Sequence, residues 1–290
     1  MRKGIILSGG SGSRLYPITF GNSKQLLQIY DKPMIYYSLA VLMNADIREI
    51  LVISNQDYIN SYESILKDGT QFGINISYKV QDEPRGIAEA FIIGENFISN
   101  DDNALVLGDN FYHGGNFLEI LQRASQKKFG ATVFGKQVNN PKEFGVVEFY
   151  SDGSIKSIHE KPEDPQSDYI ITGLYFYDKN VVDIAKSIQP SARGELEITD
   201  INNEYLKQNL LNIELLDNKC SWFDNGTYDA LLDTGIYVRE VQNNDKCIIS
   251  SPEAIAFQKG WISCDDLMVE SLKYKTSYGE YLKKLAENKL

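Results

Sequence analysis

Short apolar runs alternate with amphipathic stretches through the first half of the chain. Residues 5–7, 50–53, 74–80, 104–107 and 131–138 are rich in Ile, Val and Leu and have the length of buried strands. Between them, apolar positions recur at helical spacing. Ile35, Leu39 and Leu42 share one face of a helix that Pro33 opens at its first position, with Asp31 before it as the cap. Further helices are predicted over residues 58–67, 87–97 and 117–127. Repeated strand–helix–strand units of this kind predict an α/β fold: a Rossmann-like, mainly parallel sheet covered by helices on both faces.

The middle of the chain changes character. Residues 146–150 and 155–158 flank a Ser151–Asp152–Gly153 turn and read as a hairpin, followed by a strand over 169–177. Helices then take over, at 181–187, at 198–209 and through most of the chain after Thr227. Neither an internal repeat nor a Pro/Gly-rich linker marks a boundary, so the helical tail is expected as a packed layer or an oligomer contact.

With 290 residues, 42% of them hydrophobic, the chain can build one large core or a core with an appendage. Its net charge of −11 argues against nucleic acid as a partner, because tracking a phosphate backbone needs a basic face. The three cysteines, Cys220, Cys247 and Cys264, form no CxxC pair and read as free thiols of a reducing cytoplasm. His113 and His159 are too scattered for a soft-metal cluster. The apolar run behind Met1-Arg2-Lys3 is too short for a signal peptide, and no segment approaches the length of a membrane span. A soluble, cytoplasmic protein is expected.

The chemistry begins directly after the first strand, in Gly9-Gly10-Ser11-Gly12-Ser13-Arg14. Three glycines in four positions let backbone N–H groups approach an anion, and Arg14 adds a cation. A dinucleotide fingerprint would need glycine where Leu15 stands, and a Walker A loop would need Gly-Lys-Ser/Thr. A phosphorylated ligand at the carboxyl end of the first strand remains, against a tight turn with a surface arginine. Lys24, taken alone, reads as a solvated surface residue. Asp109 closes the strand at 104–107, where a carboxylate faces the ligand side of an open sheet and suits Mg²⁺; an Asx-turn explains it equally well. Asp224 reads as a turn residue or helix cap.

Several blocks together carry a resemblance: GGSGSRLYP at 9–17, SKQLL at 23–27, IYDKPMIYY at 29–37, YKVQDEPRGIAEAF at 78–91, ALVLGDN at 104–110, GVVEF at 145–149, HEKP at 159–162, TGLYFYD at 172–178, PSARGELEITD at 190–200, SWFDNGT at 221–227 and the tail at 278–282. The chain resembles sugar nucleotidyltransferases across its whole length, most closely the glucose-1-phosphate thymidylyltransferases, which join glucose 1-phosphate to dTTP and release pyrophosphate.

The resemblance implies a nucleotidyltransferase core over residues 1–226, with the hairpin region inserted as a sugar-binding part, and a helical part over 227–290 packed on it. Arg14, Lys24, Lys161 and Arg193 would carry catalysis. Leu7, Gly9, Gly10, Gly12, Ser13, Arg14, Gln25, Gln81, Gly86 and Asp109 would bind the nucleotide. Gly145, Glu160, Lys161, Ile171, Tyr175 and Arg193 would bind the sugar phosphate, and Asp109 and Asp224 would hold Mg²⁺. A glutamine amide at Gln81 offers both a donor and an acceptor to a pyrimidine edge. The implied product is dTDP-glucose, for deoxysugar and cell-surface polysaccharide synthesis, and the implied assembly is a homodimer or homotetramer.

Close alternatives are a transferase using UTP or another hexose 1-phosphate, and a non-catalytic sugar-nucleotide sensor. The broken glycine fingerprint disfavours an oxidoreductase. Gln28, Asn225, the 111–115 stretch, Asn218 and Gln258 depart from the usual pattern; the last three bear on the feedback inhibition by a dTDP-sugar common among these enzymes.

Overall fold

A computed structural model of the chain describes residues 2–10 and 12–288. Its first strand, β1 (Arg2–Ser8), is buried from Gly4 onward; Ile6 joins the core on one face of the sheet, and Ile5 and Leu7 join the core on the other. Burial on both faces is why the strand reads as an unbroken apolar run rather than as alternation.

Two short strands follow, β2 (Gln28–Ile29) and β3 (Lys32–Pro33), and then α1 (Ile35–Asn44). The helix therefore starts two residues later than its proline suggests. Pro33 pairs with Gln28 in the β2–β3 ribbon. Asp31 is no cap either: its carboxylate accepts from Lys32 Nζ at 2.6 Å and from Gln242 Nε2 at 3.0 Å. Next come β4 (Glu49–Ser54), α2 (Ile59–Leu66) and β5 (Asn75–Val80). The helix expected over 87–97 is two short ones, α3 (Glu89–Ile93) and α4 (Glu95–Ile98), divided at Gly94. β6 (Asp102–Leu107), β7 (Asn110–His113), α5 (Phe117–Gln126) and β8 (Ala131–Gln137) complete the first half.

The hairpin is β9 (Gly145–Phe149) with β10 (Ile155–Glu160), followed by β11 (Tyr169–Tyr177), α6 (Val181–Ser187) and α7 (Ile198–Lys207). Two strands then interrupt the expected helices, β12 (Leu211–Leu215) and β13 (Ser221–Asp224). The alternation Leu-Asn-Ile-Glu-Leu in β12 was the available signal. The tail is α8 (Tyr228–Asp245), α9 (Pro252–Gln258), α10 (Cys264–Ser271) and α11 (Ser277–Ala286). Its apolar residues Ala254, Leu267, Tyr278 and Leu282 belong to the same core as α1.

The main sheet has the order β10-β9-β11-β6-β1-β4-β5, with β8 on β11 and β12 on β8. β6, β1, β4 and β5 are parallel, whereas β11 runs antiparallel to β6, β8 and β9. The strand order reverses at β1: the chain steps outward to β4 and β5, then returns to β6 on the other side. A crevice opens at such a switch point, beyond the carboxyl ends of the strands. Register aligns those ends. Leu7 pairs with Leu107 and with Ile53, and Ser54 pairs with Val80. Gly9, Gln81 and Asp109 therefore leave the sheet along one edge.

Candidate active site

Three clefts open along that edge. One of about 330 Å³ is lined by Leu7, Gly9, Gln25, Gln81, Gly86 and their neighbours. A second, of about 700 Å³, is lined by Gly145, Glu160, Lys161, Ile171, Tyr175 and Asp224 among others. A third, of about 250 Å³, lies against Gly9, Gly10, Gly12, Ser13 and Lys24. Arg14 and Asp109 line all three.

The glycine loop turns sharply. Gly10 and Gly12 have φ of 95° and 61°, in the left-handed region that side chains avoid, and Ser13–Leu15 closes a single 3-10 turn anchored by buried Leu15. Thr19 Oγ1 donates to Gly12 O at 2.9 Å and pins the loop from behind. Arg14 stays exposed, with its guanidinium over Gly226: a Cβ there would lie 2.8 Å from Nη2. Ser11 lies outside the described residues.

Lys24 is not the solvated surface residue that its type suggests. Its side chain is 10% exposed and Nζ forms an ion pair with Asp109 Oδ2. Asp109 Oδ1 accepts from Asn110 Nδ2 at 3.0 Å. Burial raises the Asp109 carboxyl, but the charge and hydrogen bond of Lys24, helped by Asn110, outweigh it and hold the group below the usual carboxylate range.

Asp224 reaches the same place through pairing that is remote in sequence. β13 runs antiparallel to β7, so Asp224 stands opposite Asn110, and the main-chain N–H of Asn225 donates to Asp109 O at 3.1 Å. The Asn225 side chain locks the junction: Nδ2 donates to Asp109 O at 2.9 Å and Oδ1 accepts from Thr234 Oγ1 at 2.7 Å. The departure at Asn225 is thus a fully buried clamp between the two segments. Asp224 ends a strand and is not a helix cap; Thr227 caps α8, accepting from Ala230 N. Burial, and next the charge of Asp109, push the Asp224 carboxyl up to about 6. Its Oδ1 is buried and has no hydrogen-bond partner. An orphaned carboxylate oxygen beside a second carboxylate fits a hard divalent cation. Among the described residues no group of three or more His, Cys, Asp or Glu gathers, so a cation here would take its remaining ligands from phosphate and water.

Asn110 is the organiser that the sequence did not single out. Its Oδ1 accepts from Gly173 N at 3.1 Å and from Trp222 Nε1 at 2.8 Å, while Nδ2 holds Asp109. It ties together β11, β13 and the end of β6. An asparagine beside an aspartate at the start of a short strand carries no sequence signal for this, since its partners lie 63 and 112 positions away.

On the other side of the junction, Lys161 follows β10 in a left-handed conformation, φ 43°, with its N–H donating to Phe144 O at 3.0 Å. Glu160 Oε2 accepts from Thr199 Oγ1. Tyr175 and Ile171 are buried in the cleft wall, and burial raises the Tyr175 phenol. Arg193 stands apart. It lines none of these clefts; its guanidinium is held at the rim by Glu197 Oε1 at 2.9 Å and Glu160 Oε1 at 3.4 Å.

At the far end of the first cleft, Gln81 is 5% exposed and donates from Nε2 to Glu89 Oε2 at 2.7 Å. Gln25, 4% exposed, accepts at Oε1 from Ser23 Oγ at 3.0 Å and Tyr62 OH at 3.3 Å. Gly86 has φ of 104°, and its neighbours pair with Leu196: Leu196 N donates to Arg85 O at 2.7 Å and Ala88 N to Leu196 O at 3.2 Å. This splice joins the segment carrying Gly86 to the one carrying Arg193.

Comparison with known proteins agrees with this architecture. Residues 3–240 match the family described as Nucleotidyl transferase. A glucose-1-phosphate thymidylyltransferase of Neisseria meningitidis is 52% identical, aligned over 98% of this chain and 99% of that protein. One of Mycobacterium tuberculosis is 47% identical over 98% and 99%. A crystal structure from Bacillus anthracis, assigned as a glucose-1-phosphate thymidylyltransferase and solved with sucrose, superposes with a TM-score of 0.76 at 40% identity, covering 83% of this chain and 96% of that one. A UDP-glucose pyrophosphorylase solved with UDP-glucose shares the fold, with a TM-score of 0.72 at 23% identity over 83% of this chain and 99% of that one.

Proposed function

Because this chain belongs to the nucleotidyl transferase family, we propose that it transfers a thymidylyl group from dTTP to glucose 1-phosphate, giving dTDP-glucose and pyrophosphate. The observation that carries this reading is the convergence of three clefts on Arg14 and Asp109. One cleft suits a base, one a hexose and one a phosphate chain, and phosphoryl transfer belongs where they meet.

An oxygen of the sugar phosphate attacks the α-phosphorus of dTTP in line; one P–O bond forms and the bond to pyrophosphate breaks. The nucleophile is already an anion and needs no general base. The obstacle is repulsion between two anions, so catalysis rests on positioning and charge neutralisation. The loop N–H groups around Gly9, Gly10, Gly12 and Ser13, with Arg14, take the charge of the leaving pyrophosphate. Lys161 faces the attacking phosphate as a point charge, with the planar fork of Arg193 waiting at the rim. Lys24 neutralises Asp109 and sits beside the phosphate chain.

Leu7, Gln25, Gln81 and Gly86 hold the base, and Gly145, Glu160, Ile171 and Tyr175 hold the hexose. Asp109 and Asp224 would hold Mg²⁺, which when bound supplies positive charge to the phosphate oxygens. The product suits deoxysugar and cell-surface polysaccharide synthesis, and the working assembly is a homodimer or homotetramer.

Thymine exceeds uracil by one methyl, worth about 1–3 kcal/mol in a pocket, so measurable turnover with UTP is expected. The decisive experiment mixes enzyme, Mg²⁺, glucose 1-phosphate and each nucleotide and measures pyrophosphate. Release that is fastest with dTTP supports the reading. Release fastest with ATP or GTP, or none with any nucleotide, removes it; the last result would favour a sugar-nucleotide sensor.

A further inference from the structure

We propose that Glu89 sets the base specificity by fixing which end of the Gln81 amide faces the nucleotide cleft. This rests on the reading of that cleft as a pyrimidine site. Glu89 is the first residue of α3, its side chain is 16% exposed, and Oε2 receives Gln81 Nε2 at 2.7 Å. Its other oxygen lies 3.8 Å from Arg85 Nε, on the solvent side. A carboxylate only accepts hydrogen bonds, so it can hold only the NH₂ end of an amide. Turning Gln81 over would set its oxygen against that of Glu89 and lose a charge-assisted bond. The Gln81 oxygen is therefore committed to the cleft, where it lies over Gly9 so closely that a Cβ there would collide with it.

The second amide in the cleft has the opposite polarity. The hydroxyls of Ser23 and Tyr62 bond each other at 2.6 Å and turn their remaining hydrogen to the oxygen of Gln25, and among the described residues none accepts from its Nε2. One acceptor and one donor are on offer. The edge of thymine or uracil presents a ring N–H beside a carbonyl and matches them. Cytosine presents a ring nitrogen lone pair beside an amino group, which reverses both. An amide free to turn would accept either base; Gln81 held by Glu89 rejects cytosine.

The test is Glu89→Gln, which keeps the shape but can donate to a turned Gln81. Pyrophosphate release is followed with dTTP and with dCTP. The ratio of kcat/KM for dTTP over dCTP should fall by about tenfold or more, the worth of roughly one hydrogen bond. Glu89→Asp, which withdraws the carboxylate by one methylene but keeps its charge by Arg85, should lower the ratio in the same direction. In a Gln81→Ala background, adding Glu89→Gln should leave the ratio unchanged, because Glu89 acts only through that amide. A ratio within about twofold of wild type in both variants, or an equal loss with both nucleotides, overturns the proposal. Wild type that prefers dTTP while the variants keep its ratio removes only the role of Glu89; wild type with no pyrimidine activity removes the reading of the site.

Discussion

Replacing Asn110 with alanine should damage both stability and metal dependence, by amounts that the geometry sets. The side chain is 3% exposed and its oxygen receives Gly173 N–H and Trp222 Nε1–H. Alanine leaves these two N–H donors, and the weaker Tyr112 hydroxyl at 3.4 Å, without that acceptor, at about 1–3 kcal/mol for each buried N–H left unpaired. Water reaching the space from the sugar cleft offsets part of this, so a loss of about 2–4 kcal/mol is expected. For a chain of 290 residues that is roughly 3–7 °C in melting temperature.

The same substitution frees Asp109 Oδ1 from Asn110 Nδ2. With Asp109 in the proposed Mg²⁺ site, loss of a hydrogen bond that orients the ligand should cost about 10–100-fold in affinity, so half-maximal activity should require that much more Mg²⁺. Asn110→Asp separates the two effects. It keeps the acceptor for Gly173 and Trp222 but sets a charge against Asp109, so it should lose less stability than alanine at neutral pH in the presence of Mg²⁺ while disturbing the metal dependence as much. Thermal melting and a Mg²⁺ titration of pyrophosphate release measure both. An Asn110→Ala protein melting within about 2 °C of wild type with an unchanged Mg²⁺ midpoint would refute the organising role.

Arg14→Ala, Lys161→Ala and Asp109→Asn should each lower kcat by about a hundred- to thousand-fold, the usual cost of one charge-stabilising group, with circular dichroism unchanged; near-normal turnover in all three removes the site assignment. Gly86→Ala places a Cβ against the Leu196 backbone at φ 104°, so it should raise the KM for dTTP and for glucose 1-phosphate together, whereas an effect on dTTP alone would show that the splice does not couple the two segments. Burial pushes the Cys220 thiol up to about 11, Cys247 is half-buried and Cys264 is exposed; at pH 8 Ellman's reagent should titrate Cys264 first and Cys220 only after denaturation, and equal rates for all three would contradict the packing around β13.

The repeating strands and helices, the glycine loop and the helical tail were legible in the chain because each is encoded locally. Hydrophobic period distinguishes strand from helix within a dozen residues, and three glycines before an arginine need no distant partner to announce a sharp turn that carries a cation. Boundaries failed where tertiary pairing overrode local preference: Pro33 sits in the β2–β3 ribbon instead of opening α1, and β12 and β13 exist because β8 and β7 offer them edges.

Charge placement belongs to the same divide. Sequence alone supplied the residue types for a phosphate-handling site, with the resemblance to a known family naming their parts. Only the folded chain put Asp224 against Asp109, buried Lys24 in an ion pair, kept Arg193 at the rim and turned the Gln81 amide. Each of these depends on contacts between segments far apart in the chain, where desolvation and the nearest opposing charge, rather than local propensity, decide what a side chain does.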